Sequence, residues 1–246
     1  MEYLLYFLLT ALLSTLFAMG GTGAGIAVIP LLHMLGIPFN LSKAVGLFVD
    51  FTTTVTSSVM NFRRGALEIR FALPLALTLL LFAPIGAQLS RFVDESVVKV
   101  IFILFLLFSA SMMMFFKKKA KLHLQKTWIL TVIGMGVGLL AGLLGVGGGN
   151  MLLPILILLG YEPKKVAIAV SFVVPFSALT SYVSYASFVE IDWMLLGSCT
   201  LGAILGGVTG NYLMYFRLSQ QQVKRVIALL LYILALKMGW SLYAHA

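Results

Sequence analysis

Hydrophobic positions in this chain fall into eight long runs, roughly 3–36, 44–62, 71–90, 97–116, 127–160, 166–188, 193–213 and 226–244, divided by short polar stretches. Six of the runs match the ~20 residues that a spanning helix needs. They lack the apolar–polar alternation of barrel strands, and lipid tolerates no unpaired backbone. The pattern therefore predicts an all-α polytopic membrane protein. Residues 3–36 and 127–160 stand apart, because each holds 34 residues. One helix of that length would extend ~51 Å, well past a ~30 Å hydrocarbon core.

Both long runs are interrupted by glycine, in "FAMGGTGAGIAVIP" at 17–30 and "GLLGVGGGNMLLP" at 142–154. Glycine weakens a helix by ~1 kcal/mol relative to alanine. Each run is read as a helix that stops at the glycines and returns as a half-helix, about 26–36 and 150–160. Eleven residues reach only ~16 Å, too short to span. Pro30 and Pro154 fit the first turn of such half-helices, where proline is tolerated.

Charge tests this reading. If each long run crossed once, Arg63, Arg64, Arg70, Lys117, Lys118, Lys119, Lys121 and Lys126 would face eight other basic residues across the membrane, with Lys237 left in a helix. If both runs are re-entrant, Lys164, Lys165, Arg217, Lys224 and Arg225 join the first group, against Lys43, Arg91 and Lys99. Thirteen against three is a clear positive-inside signal. The expected topology is six crossings and two re-entrant hairpins, with both termini periplasmic or extracellular. Trp128, Trp193 and Trp240 fall near segment ends, as interfacial tryptophans do.

A shift of 124 overlays the two hairpins: Gly23, Gly25, Pro30 and Gly36 fall on Gly147, Gly149, Pro154 and Gly160. With one residue of slip, "AVGLFVDF" (44–51) falls on "AVSFVVPF" (169–176). Two repeats follow: 1–116 (hairpin 3–36; helices 44–62, 71–90, 97–116) and 127–246 (hairpin 127–160; helices 166–188, 193–213, 226–244). The basic linker 117–126 joins them as a cytoplasmic turn. Three crossings per half is odd, so the halves enter from opposite sides, the inverted repeat of many secondary transporters.

Composition agrees with the class. Hydrophobic residues make up 61% and charged residues 10%, where soluble domains carry about 25% charged. The net charge of +9 sits in short loops, as topology signal and headgroup contact. No folded basic domain presents a nucleic-acid stripe, so nucleic acid is not an expected partner. Cys199 is the single cysteine, which rules out an intramolecular disulfide. No Cys/His set suggests zinc, no catalytic constellation suggests an enzyme, and no cofactor is expected. The lipid bilayer is the expected partner, and a homodimer is compatible with such a chain.

If both hairpins dip inward, two half-helix starts meet near the midplane. Such starts offer unpaired N–H groups and partial positive charge, and glycine lets a ligand approach closely. Thr22, Gly23, Ala24, Gly25, Gly147, Gly148, Gly149 and Asn150 are the candidate ligands for a small anion; close backbone packing is the alternative reading of these glycines. Thr53, Ser57, Ser171 and Ser177 are candidate uncharged ligands. Asp50, an acidic residue deep in an apolar run, is the candidate proton-coupling group; a structural bond to a hydroxyl or to Lys43 is its alternative. Gly134, Gly138 and Gly142, and likewise Gly202, Gly206 and Gly210, recur every four residues and predict close helix packing.

"LLGVGGGNMLLPILILLGY", then "AVSF" and "FVEIDW", resemble the TauE/SafE, or toluene sulfonate uptake permease, family. "GGTGAGIAVIPLLHMLGI", "AVGL" and "NFRRGALEI" resemble the same motif, with Ala24 departing from it. The resemblance covers nearly the whole chain. It implies an inner-membrane carrier of sulfur-containing anions such as sulfite, sulfoacetate or other organosulfonates, by uptake or export. The residues alone point to an inverted-repeat anion transporter working by alternating access; a passive anion channel, or a transporter of another small anion such as a carboxylate, is the competing reading.

Overall fold

The computed structural model describes residues 2–20, 22–63, 67–115, 127–216 and 220–244; the expected linker 117–126 lies outside these. The described residues form ten helices and no strand: α1 (Glu2–Met19), α2 (Gly25–Met34), α3 (Phe39–Arg63), α4 (Ile69–Leu89), α5 (Glu95–Phe115), α6 (Thr127–Leu144), α7 (Gly149–Leu158), α8 (Pro163–Ala186), α9 (Trp193–Phe216) and α10 (Gln220–Ala244). The protein is an all-α polytopic membrane protein. Both long apolar runs break at their glycines. α2 and α7 have 10 residues each, ~15 Å, half a bilayer core.

Six helices are long and apolar enough to cross a membrane by length and composition: α1, α4, α5, α8, α9 and α10. The number equals that expected, but the membership differs. α1 qualifies although it is the first arm of a broken run. α3, expected as a crossing, does not qualify, because its 25 residues carry Lys43, Asp50 and a series of hydroxyls. These polar groups are buried inside the bundle, so α3 is shielded from lipid by its neighbours.

The prolines also lie elsewhere than expected. α2 starts at Gly25 and α7 at Gly149, so Pro30 and Pro154 are the sixth residues of their helices, one turn later than predicted. A proline there cannot bond the carbonyl four residues back, which removes the helical partner of the Ile26 and Asn150 carbonyls.

Packing follows a repeated scheme. α1 lies along α9 and α6 along α4; α2 packs on α3 and α7 on α8; α3 and α8 meet at the centre, and α5 lies on α10. Exchanging each of α1–α5 with its counterpart in α6–α10 leaves these pairings unchanged. The glycine stripes serve the two outer pairs. Gly202, Gly206 and Gly210 of α9 meet the backbone of Phe7, Ala11 and Thr15 in α1, and Gly142 of α6 meets the carbonyl of Ala83 in α4. The partner numbers rise together, so both pairs run parallel. By contrast, a methyl group on Gly136, also in α6, would meet nothing within 4 Å. Gly142→Ala is therefore expected to lower the unfolding temperature in detergent, through ~1–3 kcal/mol of overpacking. Gly136→Ala is expected to leave it equal or higher, since alanine is the better helix former.

Contacts at the helix ends group the loops. Lys165, near the start of α8, forms an ion pair with Glu68, just before α4. At the other end of the bundle, Arg91 stacks over Phe188, its guanidinium carbon 5.2 Å from the ring centroid. Tyr3 also donates a long bond to Asp192 there, 3.4 Å. Asp94 accepts the Ser96 N–H at 2.8 Å at the start of α5, which holds its carboxyl below the usual carboxylate range.

Candidate functional site

The two broken segments end in short tips, residues 22–25 and 147–150, and both are buried. Their backbones differ. Gly148, which precedes α7, has φ of 75°, in the left-handed region that glycine accepts. Its counterpart before α2 is Ala24, at φ −89° and ψ −8°. That right-handed conformation is open to any residue, so the departure of Ala24 from an all-glycine motif follows from local geometry.

Asp50, near the middle of α3, lies between the tips. Its Oδ1 accepts the Gly25 N–H at 2.6 Å, and its Oδ2 accepts the Gly147 N–H at 3.0 Å. The carboxylate is 2% exposed, and neither a hydroxyl nor Lys43 bonds to it among the described residues. Backbone N–H groups at the start of a helix are strong partners for a carboxylate, through charge-assisted hydrogen bonds and the helix dipole. The two tips thus meet at one buried carboxylate of the chain itself.

The glycines make this possible. A methyl group on Gly23 would collide with Asp50 Oδ1, and one on Gly25 would lie 2.5 Å from the Gly46 carbonyl oxygen. One on Gly147 would lie 2.6 Å from Val174 Cγ1 and 3.1 Å from Asp50 Oδ2. Gly149 faces Val174 and Val170 of α8, and Gly148 faces Leu79 of α4. Of the two readings posed in the sequence, these contacts display the packing one: the glycines let the tips close on Asp50 and on the neighbouring helices.

Two tip side chains stand out. Thr22 Oγ1 and Asn150 Oδ1 are buried with no hydrogen-bond partner among the described residues. Buried polar atoms in that condition are uncommon and costly, and these two belong to the two tips.

The remaining candidate hydroxyls are held by their helices. Thr53 donates to the Val49 carbonyl at 2.8 Å, Ser57 to Thr53 at 3.2 Å and Ser171 to Ile168 at 2.7 Å. Ser177 donates to the Gly147 carbonyl at 2.9 Å, with Val174 as a second acceptor at 3.0 Å, and so braces the second tip from α8. A hydroxyl that gives its proton to a helix carbonyl has none for an anion. His33 is likewise occupied, its Nδ1 lying 3.1 Å from the Ile37 carbonyl.

The structure adds residues that the sequence reading passed over. Asn211 of α9 donates to Ser57 at 3.0 Å, and Asn61 of α3 donates to Ser171 at 3.0 Å. Tyr185 donates to the carbonyls of Gly142 and Leu143, at 3.1 and 3.0 Å, tying off the end of α6 beside the second tip. Lys43, Asp50 and Ser57 recur every seven residues on one face of α3, a polar seam whose spacing was visible in the sequence. In the repeat alignment, Pro175 occupies the position that corresponds to Asp50, so one carboxylate serves both tips.

Ten helices among the described residues, with two of the apolar runs broken in corresponding positions beside a buried carboxylate, fit the class of polytopic membrane transporters. The chain belongs to the sulfite exporter TauE/SafE family, whose model matches residues 6–238. It is 30% identical over 187 residues to a probable membrane transporter protein of Methanocaldococcus jannaschii, covering 72% of this chain and 68% of that one. To the probable membrane transporter protein YunE of Bacillus subtilis it is 26% identical over 239 residues, covering 85% and 88%. A shorter match, 38% identical over 61 residues, covers 25% of this chain and 14% of a sulfite exporter TauE/SafE family protein of Arabidopsis thaliana. No solved structure matches.

Proposed function

We propose that the protein is a secondary transporter of a small sulfur-containing oxyanion (sulfite, sulfoacetate or another organosulfonate), working by alternating access in the inner membrane and coupled to protons through Asp50. The observation that carries this reading is the double contact of Asp50 with the Gly25 and Gly147 amides. Two anions cannot share those donors in a low-dielectric interior without strong repulsion. Protonating Asp50 removes its charge, and the tips then accept the substrate anion, with Thr22 and Asn150 as further ligands. Ser177 acts by positioning the second tip, Ser57 by accepting Asn211 from α9 and Ser171 by accepting Asn61 from α3, while Thr53 bonds within its own helix. Proton and anion load together and leave together.

The same competition selects the substrate. The cargo must remain ionised while Asp50 is protonated, so it must be a stronger acid than a carboxylic acid. Sulfonates meet that condition, and carboxylates compete for the same proton.

The exchange symmetry of the helix pairings supports two repeats. The Lys165–Glu68 ion pair and the Arg91–Phe188 contact support the re-entrant topology. A single crossing by each long run would set the members of each pair on opposite faces. With thirteen basic residues inside, both termini face the periplasm or exterior in this reading.

The test is proton movement in proteoliposomes containing a pH dye. An inward ethanesulfonate gradient should acidify the lumen, and malonate of similar size should do so far less. Ethanesulfonate uptake without acidification would overturn the coupling.

A further inference from the structure

A second charged group is buried in α3, and the transport site does not use it. Lys43 lies two helical turns before Asp50, ~10 Å along the axis, and is 1% exposed. Its Nζ donates to Ser90 Oγ at 2.6 Å and lies 4.8 and 4.9 Å from the ring centroids of Phe39 and Tyr185. Among the described residues no carboxylate lies within ion-pair distance of it. Glu95, on the same cavity, pairs with Lys99 at 2.7 Å. A buried ammonium is costly unless it is paired, and a hydroxyl with two aromatic faces is an incomplete partner for three N–H donors.

The aliphatic stem of Lys43 runs against Gly145, where a methyl group would lie 2.5 Å from Lys43 Cβ, and Gly145 itself has φ of 75°. Lys43 thus connects the second broken segment, two residues before the amide that holds Asp50, to a cavity of about 380 Å³ between the ends of α3, α4, α5 and α8. Asn40, Lys43, Ser90, Arg91 and Phe188 contribute to its lining. Arg91 is exposed at the rim. Glu95 pairs with Lys99, and among the described residues neither Lys43 nor Arg91 has a carboxylate at ion-pair distance.

We propose that this cavity is an anion-binding vestibule, in which Lys43, Ser90 and Arg91 take a small oxyanion of the sulfonate class and deliver it to the tips. The identity of the anion rests on the transport reading above; the binding of an anion here does not.

The experiment uses the full chain with Cys199→Ala and a single new thiol, Asn40→Cys. Modification rates, each divided by that reagent's rate with a free thiol in solution, are compared for two methanethiosulfonate reagents of similar size, one with an ethylsulfonate tail and one with an ethyltrimethylammonium tail. The anionic reagent should react about tenfold faster than the cationic one, the scale of local charge focusing in a cleft, and sulfoacetate should slow it. Lys43→Met should abolish the preference. Arg91→Gln, at an exposed position, should reduce it and remains readable if the Lys43 variant does not fold. Equal rates for both reagents, unaffected by either substitution, would overturn the vestibule. Adding Asp50→Asn separates the two ideas: the preference should persist there while anion-driven acidification is lost. If acidification persists instead, the coupling role of Asp50 fails and the vestibule stands.

Discussion

Asp50→Asn is expected to reduce anion-driven acidification to background, whatever happens to anion binding. Asparagine has the same shape but cannot take up a proton in this range, so no charge cycle remains at the tips. It also turns one acceptor into a donor. With Gly25 and Gly147 both donating, the amide of asparagine would point an N–H group at one of them. Loss of one charge-assisted bond in a buried site costs roughly 2–3 kcal/mol, so the variant should also unfold at a lower temperature. Sulfoacetate should restore part of that temperature, because the vacated donors favour an external anion. A variant with wild-type acidification and unchanged pH dependence would show that Asp50 is a structural brace only.

The second large effect concerns the tip glycines. Gly25→Ala sets a methyl group against the Gly46 carbonyl and 2.7 Å from Asp50 Cγ. The obstacle is backbone of the neighbouring helix, which cannot rotate away. Overpacking of this kind costs about 2–3 kcal/mol, and it pushes α3 and its carboxylate off the tip. At Gly147 the nearest atom is Cγ1 of Val174, 2.6 Å away, a side chain that can shift. Gly147→Ala should therefore keep more folded protein than Gly25→Ala while still losing transport. Fluorescence-detected size exclusion and proteoliposome acidification measure the two effects separately. Equal, near-wild-type transport in both variants would mean that the tips are not the site.

Much of the architecture was legible because it is periodic or punctuated. Apolar runs too long for one crossing, each interrupted by glycines, announced α2 and α7, whose observed 10 residues differ from the expected 11 by one. Stripes at intervals of four announced close packing at α6 and α9, although nothing local says that their partners are α4 and α1. The half-helices start at Gly25 and Gly149, one residue before the expected 26 and 150, and Pro30 and Pro154 fall at the sixth residue, past the first turn where they were expected. The contents of the site were partly hidden for another reason. Asp50 and Gly147 lie 97 positions apart, and a contact of that range leaves no periodic trace. Asp50 and the tips were each named from the sequence, yet the fact that the carboxylate fills the tips is tertiary. So are the pairs of Asn211 with Ser57 and of Asn61 with Ser171, which join helices from different halves of the chain.

Pro175, standing where a second carboxylate would be, has an energetic consequence. Two equivalent acids would let a carrier spend two protons on each anion, and its gradient could rise as the square of the proton gradient. In the cycle proposed above, Asp50 alone carries one proton per anion. For a monovalent sulfonate the cycle is then electroneutral, blind to membrane voltage, and the accumulation ratio it can sustain is capped by the pH difference across the membrane.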